Sequence, residues 1–138
     1  MDLLPGIQAT ASALTAQRAR LNIVAQNLAN AQTTRGPDGQ PYQRQIVTFE
    51  SMMVPVGAGG TQVAGVRLAE ITTDDTPGQR IYQPGHPHAD AEGMVTMPNV
   101  QPSMEMVDMI TASRVYEANL SVVRTARQMS QQTLAIGR

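Results

Sequence analysis

The residues best equipped for chemistry sit in one short stretch, Gly85-His86-Pro87-His88-Ala89-Asp90-Ala91-Glu92-Gly93. Two imidazoles and two carboxylates are donor types that bind a borderline metal such as zinc. Pro87 stiffens the segment, and alternate positions point both rings the same way. The donor set stops there, because the chain has two histidines and no cysteine. The stretch therefore reads as a structural loop in which histidine and aspartate side chains satisfy backbone groups. Metal binding or hydrolysis through His86, His88 and Asp90 is the competing reading.

Other chemistries find less support. No serine stands in a G-x-S-x-G setting. A phosphate loop of the G-x-x-x-x-G-K type needs a lysine, and all ten basic residues are arginine. The only adjacent carboxylates, Asp74 and Asp75, belong to a turn expected over Asp75–Gly78. Met94, Met97, Met104, Met106 and Met109 supply soft sulfur, but the last three are better read as adaptable packing groups on a helix. The sequence predicts no catalytic residue, no cofactor and no metal.

Bulk properties narrow the class further. The 138 residues suffice for one domain. Aromatic content is low, with three tyrosines and one phenylalanine. Aromatic rings supply much of the area in a compact core, so a core of Ala, Val, Leu and Met points to packed helices in an elongated molecule that completes its burial against neighbours. A net charge of −1 without a clustered basic face excludes strong nucleic-acid binding. Without cysteine, thiol chemistry is excluded. No stretch approaches the apolar length of a membrane span, and the first residues, MDLLPGIQATASAL, carry neither the basic lead nor the apolar block of a signal peptide.

Three segments follow from periodicity: 1–33, 34–99 and 100–138. The first reads as a helix from residue 3 to about 32. Ile7, Leu14, Leu21 and Leu28 recur at sevens, the step that holds an apolar seam against a partner helix. Ala9, Ala16 and Ile23 form a second, weaker stripe, with Ile23 about 200° around from Leu21. Asn30 opens the turn residues that end the helix. The last segment reads as a helix from 103 to about 136, with Ser103 as its N-cap. One stripe runs Met109, Tyr116 and Val123, supported by Leu120, Met106 and Leu134. Another runs Val115, Val122, Met129 and Ile136. One stripe can bury against the first helix; the other calls for a different partner. The middle segment holds most of the prolines and glycines. Residues 42–49 alternate at period two, and Val63, Val66, Leu68 and Ile71 mark a second strand. The predicted fold is mainly α with a small β element, its long terminal helices paired in coiled-coil fashion around a short β/loop middle.

Several stretches resemble one family. NLANAQTTR at 27–35 is similar to the signature that ends the first helix of the flagellar axial proteins, the rod, hook and filament subunits of bacteria. RGPDGQPYQRQ at 35–45, YQPGHPHADAEGMV at 82–95 and NVQPSMEMVDMITASRVYEANL at 99–120 resemble its proximal rod branch. The likeness spans nearly the whole chain and is weakest from about 51 to 65. It implies a structural subunit of the flagellar basal-body rod, which crosses the periplasm and carries motor torque for motility. The implied partners are copies of the chain, other rod subunits and the flagellar type III export apparatus, with no cleaved signal. A different secreted helical interaction protein is the remaining alternative.

Overall fold

The computed structural model describes residues 4–56 and 60–136. Helix α1 spans Leu4–Ala29 and helix α2 spans Pro102–Ile136. Between them run strands β1 (Gln45–Val56), β2 (Gly60–Thr73), β3 (Arg80–Tyr82) and β4 (Met94–Thr96). β1 pairs with β2, and β3 with β4, giving two separate antiparallel hairpins.

α1 is the shared spine. α2 packs along one side of it and the β1–β2 hairpin along another, whereas these strands and α2 do not pack on each other among the described residues. This arrangement accounts for the two stripes on α1. Ala16, Ile23, Val24 and Asn27 are buried, and Leu14, Leu21 and Leu28 are half-buried on the flank. A helix covered from two directions has apolar positions around most of its circumference rather than on a single stripe. The helices run antiparallel, since Asn27 near the end of α1 and Arg20 further back meet Glu105 and Asp108 in the first turns of α2. At about 1.5 Å per residue, α1 is roughly 39 Å long and α2 roughly 52 Å.

α2 starts one step earlier than the sequence reading placed it. Pro102 occupies the first helical position, where its missing N–H is no loss. The Gln101 carbonyl accepts the Met104 and Glu105 N–H groups at 3.0 and 3.1 Å. Gln101 is therefore the cap, not Ser103. Pro5 falls in the first turn of α1, where its missing N–H is likewise tolerated.

The larger hairpin exceeds the small β element expected. It extends through 51–56 and 60–63, and the glycine-rich tip at 57–59 lies outside the described residues. Two register shifts, at Thr48/Phe49 and Met52/Met53, leave Ala69 and Ala64 as extra residues on β2. Such bulges sharpen the twist, which lets a long ribbon follow a helix. A two-stranded ribbon is marginal alone and needs its seat on α1. That seat is a close backbone approach. Ser12 Oγ accepts the Val66 N–H at 3.0 Å and donates to the Ala9 carbonyl at 2.7 Å. A Cβ on Gly65 would overlap Ser12 Oγ and lie 3.1 Å from Ser12 Cβ. The segment after β2 also departs from the expected turn over Asp75–Gly78. It is an extended connection, held by the Asp74 carboxylate accepting the Thr76 N–H at 3.0 Å and by Gly78 set against the Met97 carbonyl.

Gly65→Val should lift the hairpin off α1, costing about 1–3 kcal/mol by overpacking. The check is a lowered thermal midpoint with new protease cleavage inside 45–73 and none inside 102–136. Unchanged protection of the hairpin would contradict this account of its seat.

Candidate functional site

The described residues hold no ligand-type cluster that would make the 85–93 loop a metal centre. His86 and His88 face each other edge-on with ring centroids 5.3 Å apart. His86 Nδ1 accepts the His88 N–H at 3.1 Å, and His88 Nδ1 bonds Thr34 Oγ1 at 2.8 Å. Asp90 turns away from both rings. Its carboxylate accepts the Glu92 and Met94 N–H groups at 2.9 and 2.8 Å and pairs with Arg80 at 2.6 Å. The backbone bond from Met94 is the largest influence, and together these bonds hold the Asp90 carboxyl below its ordinary range. Gly93 adopts φ +77°, which the tight return to β4 requires. The histidines and acids here close a loop and dock it on residue 34.

The site that organises the molecule is a polar hub at the end where α1 stops and α2 starts. Glu105 is 1% exposed there and is ion-paired with Arg44. Burial of a carboxylate is costly unless it is paired and hydrogen-bonded. Its Oε1 accepts the Arg44 Nε–H at 2.6 Å and its Oε2 the Asn27 Nδ2–H at 3.1 Å. Its place in the first turn of α2 adds the favourable end of the helix dipole. Asn27, equally buried, uses both donors and both lone pairs. Nδ2 also donates to the Gln45 carbonyl at 2.9 Å, while Oδ1 accepts the Gln45 N–H and the Tyr42 hydroxyl, each at 2.9 Å. The amide thus pairs with Gln45 as a neighbouring strand would, joining the root of β1 to both helices. Asn99 adds a second stitch. Its Oδ1 accepts the Arg44 N–H at 2.7 Å and its Nδ2 donates to the Asp74 carbonyl at 2.8 Å. Beside the hub, Arg20 makes a two-pronged ion pair with Asp108.

Tyr42 reports on this hub. Burial first, and the Glu105 carboxylate second, push its phenol above the ordinary value near 10. The sequence shows Glu105 and Asp108 only as acids near the positive end of the α2 dipole, Tyr42 and Arg44 only as members of the alternating run, and Asn27 only as part of NLANAQTTR; nothing in it joins them into a hub.

The apolar stripes fall into two environments. On α2, Met109, Tyr116, Leu120 and Val123 are half-buried on the side that faces α1, with Ala112 fully covered among them. Val115, Val122 and Met129 are exposed, Val122 and Met129 by 56% and 55%. Ile136 closes the helix, and its side chain lies outside the described residues. On α1, Ile7 is half-buried, and so is Asn30, whose Nδ2 donates to the Gln26 carbonyl at 2.9 Å. Met104, Met106, Ile110 and Leu134 are also exposed. One folded chain therefore leaves a row of large apolar side chains on α2 in water. Monomeric proteins rarely show such contiguous patches unless they bind something.

Comparison with known proteins decides the family. The profile of the flagella basal body rod protein matches residues 7–37, and that of the flagellar basal body rod FlgEFG protein C-terminal matches residues 91–136. The chain is 45% identical over 137 residues to the flagellar basal-body rod protein FlgC of Yersinia enterocolitica, covering 99% of each. The chain belongs to the FlgC family of flagellar basal-body rod proteins. Its identity to the same protein is 44% in Salmonella typhimurium, over 99% of each chain, and 37% in Bacillus subtilis, over the full length of both. The two matched segments, 7–37 and 91–136, contain Asn27 and Glu105, so the family profiles meet at the hub.

Two outcomes follow for the hub. Asn27→Ala should cost about 1–3 kcal/mol by leaving buried groups unpaired. Asn27→Asp should cost more, since it sets a second carboxylate against Glu105 and removes two donors. Urea unfolding of the two variants checks the order. For Tyr42, a folded-state value above the unfolded one gives a contribution fully present below pH about 10 and lost as pH rises through the folded value. The decline of stability above pH about 10 should be shallower in Tyr42→Phe than in the parent chain.

Proposed function

We infer that this protein is a structural subunit of the flagellar basal-body rod, and that it works by packing rather than by chemistry. The exposed Val115–Val122–Met129 row on α2 carries the reading. Residues seven apart along a helix hold one face toward a partner over many turns. Burying the exposed half of each side chain contributes on the order of 1 kcal/mol. That is small per residue and becomes substantial when repeated along a helix and from subunit to subunit.

The mechanism is mechanical. A rod loaded in torsion has to resist sliding between subunits. Long helices resist it well, because interdigitated side chains give many contacts that share the load. In this reading α1 and α2 pair in coiled-coil fashion toward the inside of a tube, and the unpartnered face of α2 closes on neighbouring rod subunits. The segments 1–33 and 100–138 then act as one discontinuous helical unit, with 34–99 as an appended middle. Its partners are further copies and other rod subunits, after passage through the flagellar export apparatus without a cleaved signal, and its place is the periplasm-spanning rod.

Val122→Asp introduces a charge on the row while leaving the α1-facing side of α2 intact. In a strain lacking the native gene, the variant should be exported yet should give no swimming and no rods visible by electron microscopy. Normal rods and swimming would overturn the assignment of this face.

A further inference from the structure

The two histidines close their loop in chemically different ways, and only one of them can take a second ring proton without losing its bond. The tip at 84–89 caps the β3–β4 hairpin. The stem below it is extended by the Gln83 N–H donating to the Gly93 carbonyl at 2.8 Å and the Asp90 N–H donating to the Met94 carbonyl at 2.9 Å. Within the tip, His86 Nδ1 accepts the His88 N–H at 3.1 Å. A backbone N–H can only donate, so this Nδ1 carries the lone pair and the single ring proton sits on Nε2. The next proton has only Nδ1 to go to, where it sets one N–H against another. His88 faces a hydroxyl instead, with its Nδ1 2.8 Å from Thr34 Oγ1. A hydroxyl donates or accepts, so that bond tolerates a proton on His88. Among the described residues it is the one hydrogen bond that ties the tip to the segment following α1.

We propose that His86 is the acid-sensitive element of a latch: neutral, it holds the 84–89 tip closed against Thr34, and protonated, it releases the tip. The charged groups nearby are committed elsewhere or carry the wrong sign. On the same segment, Asp90 is bound to Arg80 and to the Glu92 and Met94 N–H groups, and Glu92 lies 3.8 Å from the same arginine. The segment across from the tip carries Arg35, in no ion pair among the described residues, and Asp38, whose Oδ1 accepts the Gln40 N–H. A charged His88, its ring centroid 5.3 Å from that of His86, adds like-charge repulsion. The stem does not share this response. The Asp90 carboxyl is held below its ordinary range, so its contribution is fully present above the ordinary carboxylate value and is lost as pH falls through the lower folded value. Histidine rings change charge between about pH 5 and 8. Mild acid therefore opens the tip and leaves the stem closed. Thr34 belongs to the connection that leads from α1 to Tyr42 and Arg44, so the latch is a second, pH-dependent tie beside the hub.

Solution NMR of the isotope-labelled full chain at about pH 7.5 and about pH 5.5, on either side of the histidine range, provides the test. At the higher pH the His86 ring nitrogens should show the Nε2–H form, and a nuclear Overhauser contact should join the His88 ring to Thr34. At the lower pH the His88 amide should lose its hydrogen-bonded shift and the contact should weaken about fivefold, as loss of one hydrogen bond requires. The Gln83 and Asp90 amides of the stem should not move. His86→Asn sets a permanent acceptor, Oδ1, near the place of Nδ1 and should keep the contact at both pH values. A wild-type contact that persists in acid or is absent at the higher pH, stem amides that shift together with the tip, or a His86→Asn chain lacking the contact at either pH would each overturn the proposal.

Discussion

A carboxylate with 1% of its surface exposed ties together three separate parts of the chain. Glu105 begins α2, Asn27 ends α1, and Arg44 leads into β1. Each bond to Glu105 spans more than sixty residues of sequence. Removing any one partner leaves another buried and unpaired, and that penalty exceeds the net gain of an ordinary hydrogen bond. The hub therefore fixes where the helices cross and where the hairpin departs. Everything beyond it, from the seat of Gly65 on Ser12 to the direction in which Val122 points, depends on that registration.

From this fixed end the molecule becomes progressively less self-sufficient. Near the hub, Val24, Asn27, Val95, Val100 and Glu105 are covered by the chain's own elements. Toward the far end, residues 131–135 of α2 are exposed throughout. The core is thin because, among the described residues, α1 packs against α2 and the β1–β2 hairpin alone, and the aromatic rings that would thicken it are few. A fold anchored by polar bonds at one end and open along an apolar helix at the other suits a subunit whose burial is shared with neighbours.

Much of the architecture was legible in advance. The seven-residue spacing of Leu14, Leu21 and Leu28 and of Met109, Tyr116 and Val123 marked two long helices, and both are present. The second stripe on each helix was visible for a physical reason: α1 is covered from two sides, and α2 presents one apolar row to water. Three features were less legible. The hairpin was read short because SMMVPVGAGGTQV breaks the alternation with Pro55 and three glycines, while bulges at Ala64 and Ala69 shift the period on β2. The cap was misplaced because serine is the commoner N-cap, and nothing local shows that the Gln101 carbonyl is the first acceptor. The two buried members of the hub leave no periodic trace. Asn27 and Glu105 are polar residues without a pattern, and their pairing is visible only once the chain has folded.

The central claim is that a folded chain leaves the Val122 face of α2 open and that assembly closes it. A sequence without cysteine makes the claim directly measurable, because Val122→Cys introduces a single thiol. The measurement is the rate of maleimide labelling of that thiol in the free chain and in isolated basal bodies. The account predicts rapid labelling of the free protein and strong protection in the rod. Equal labelling in the two states would contradict it.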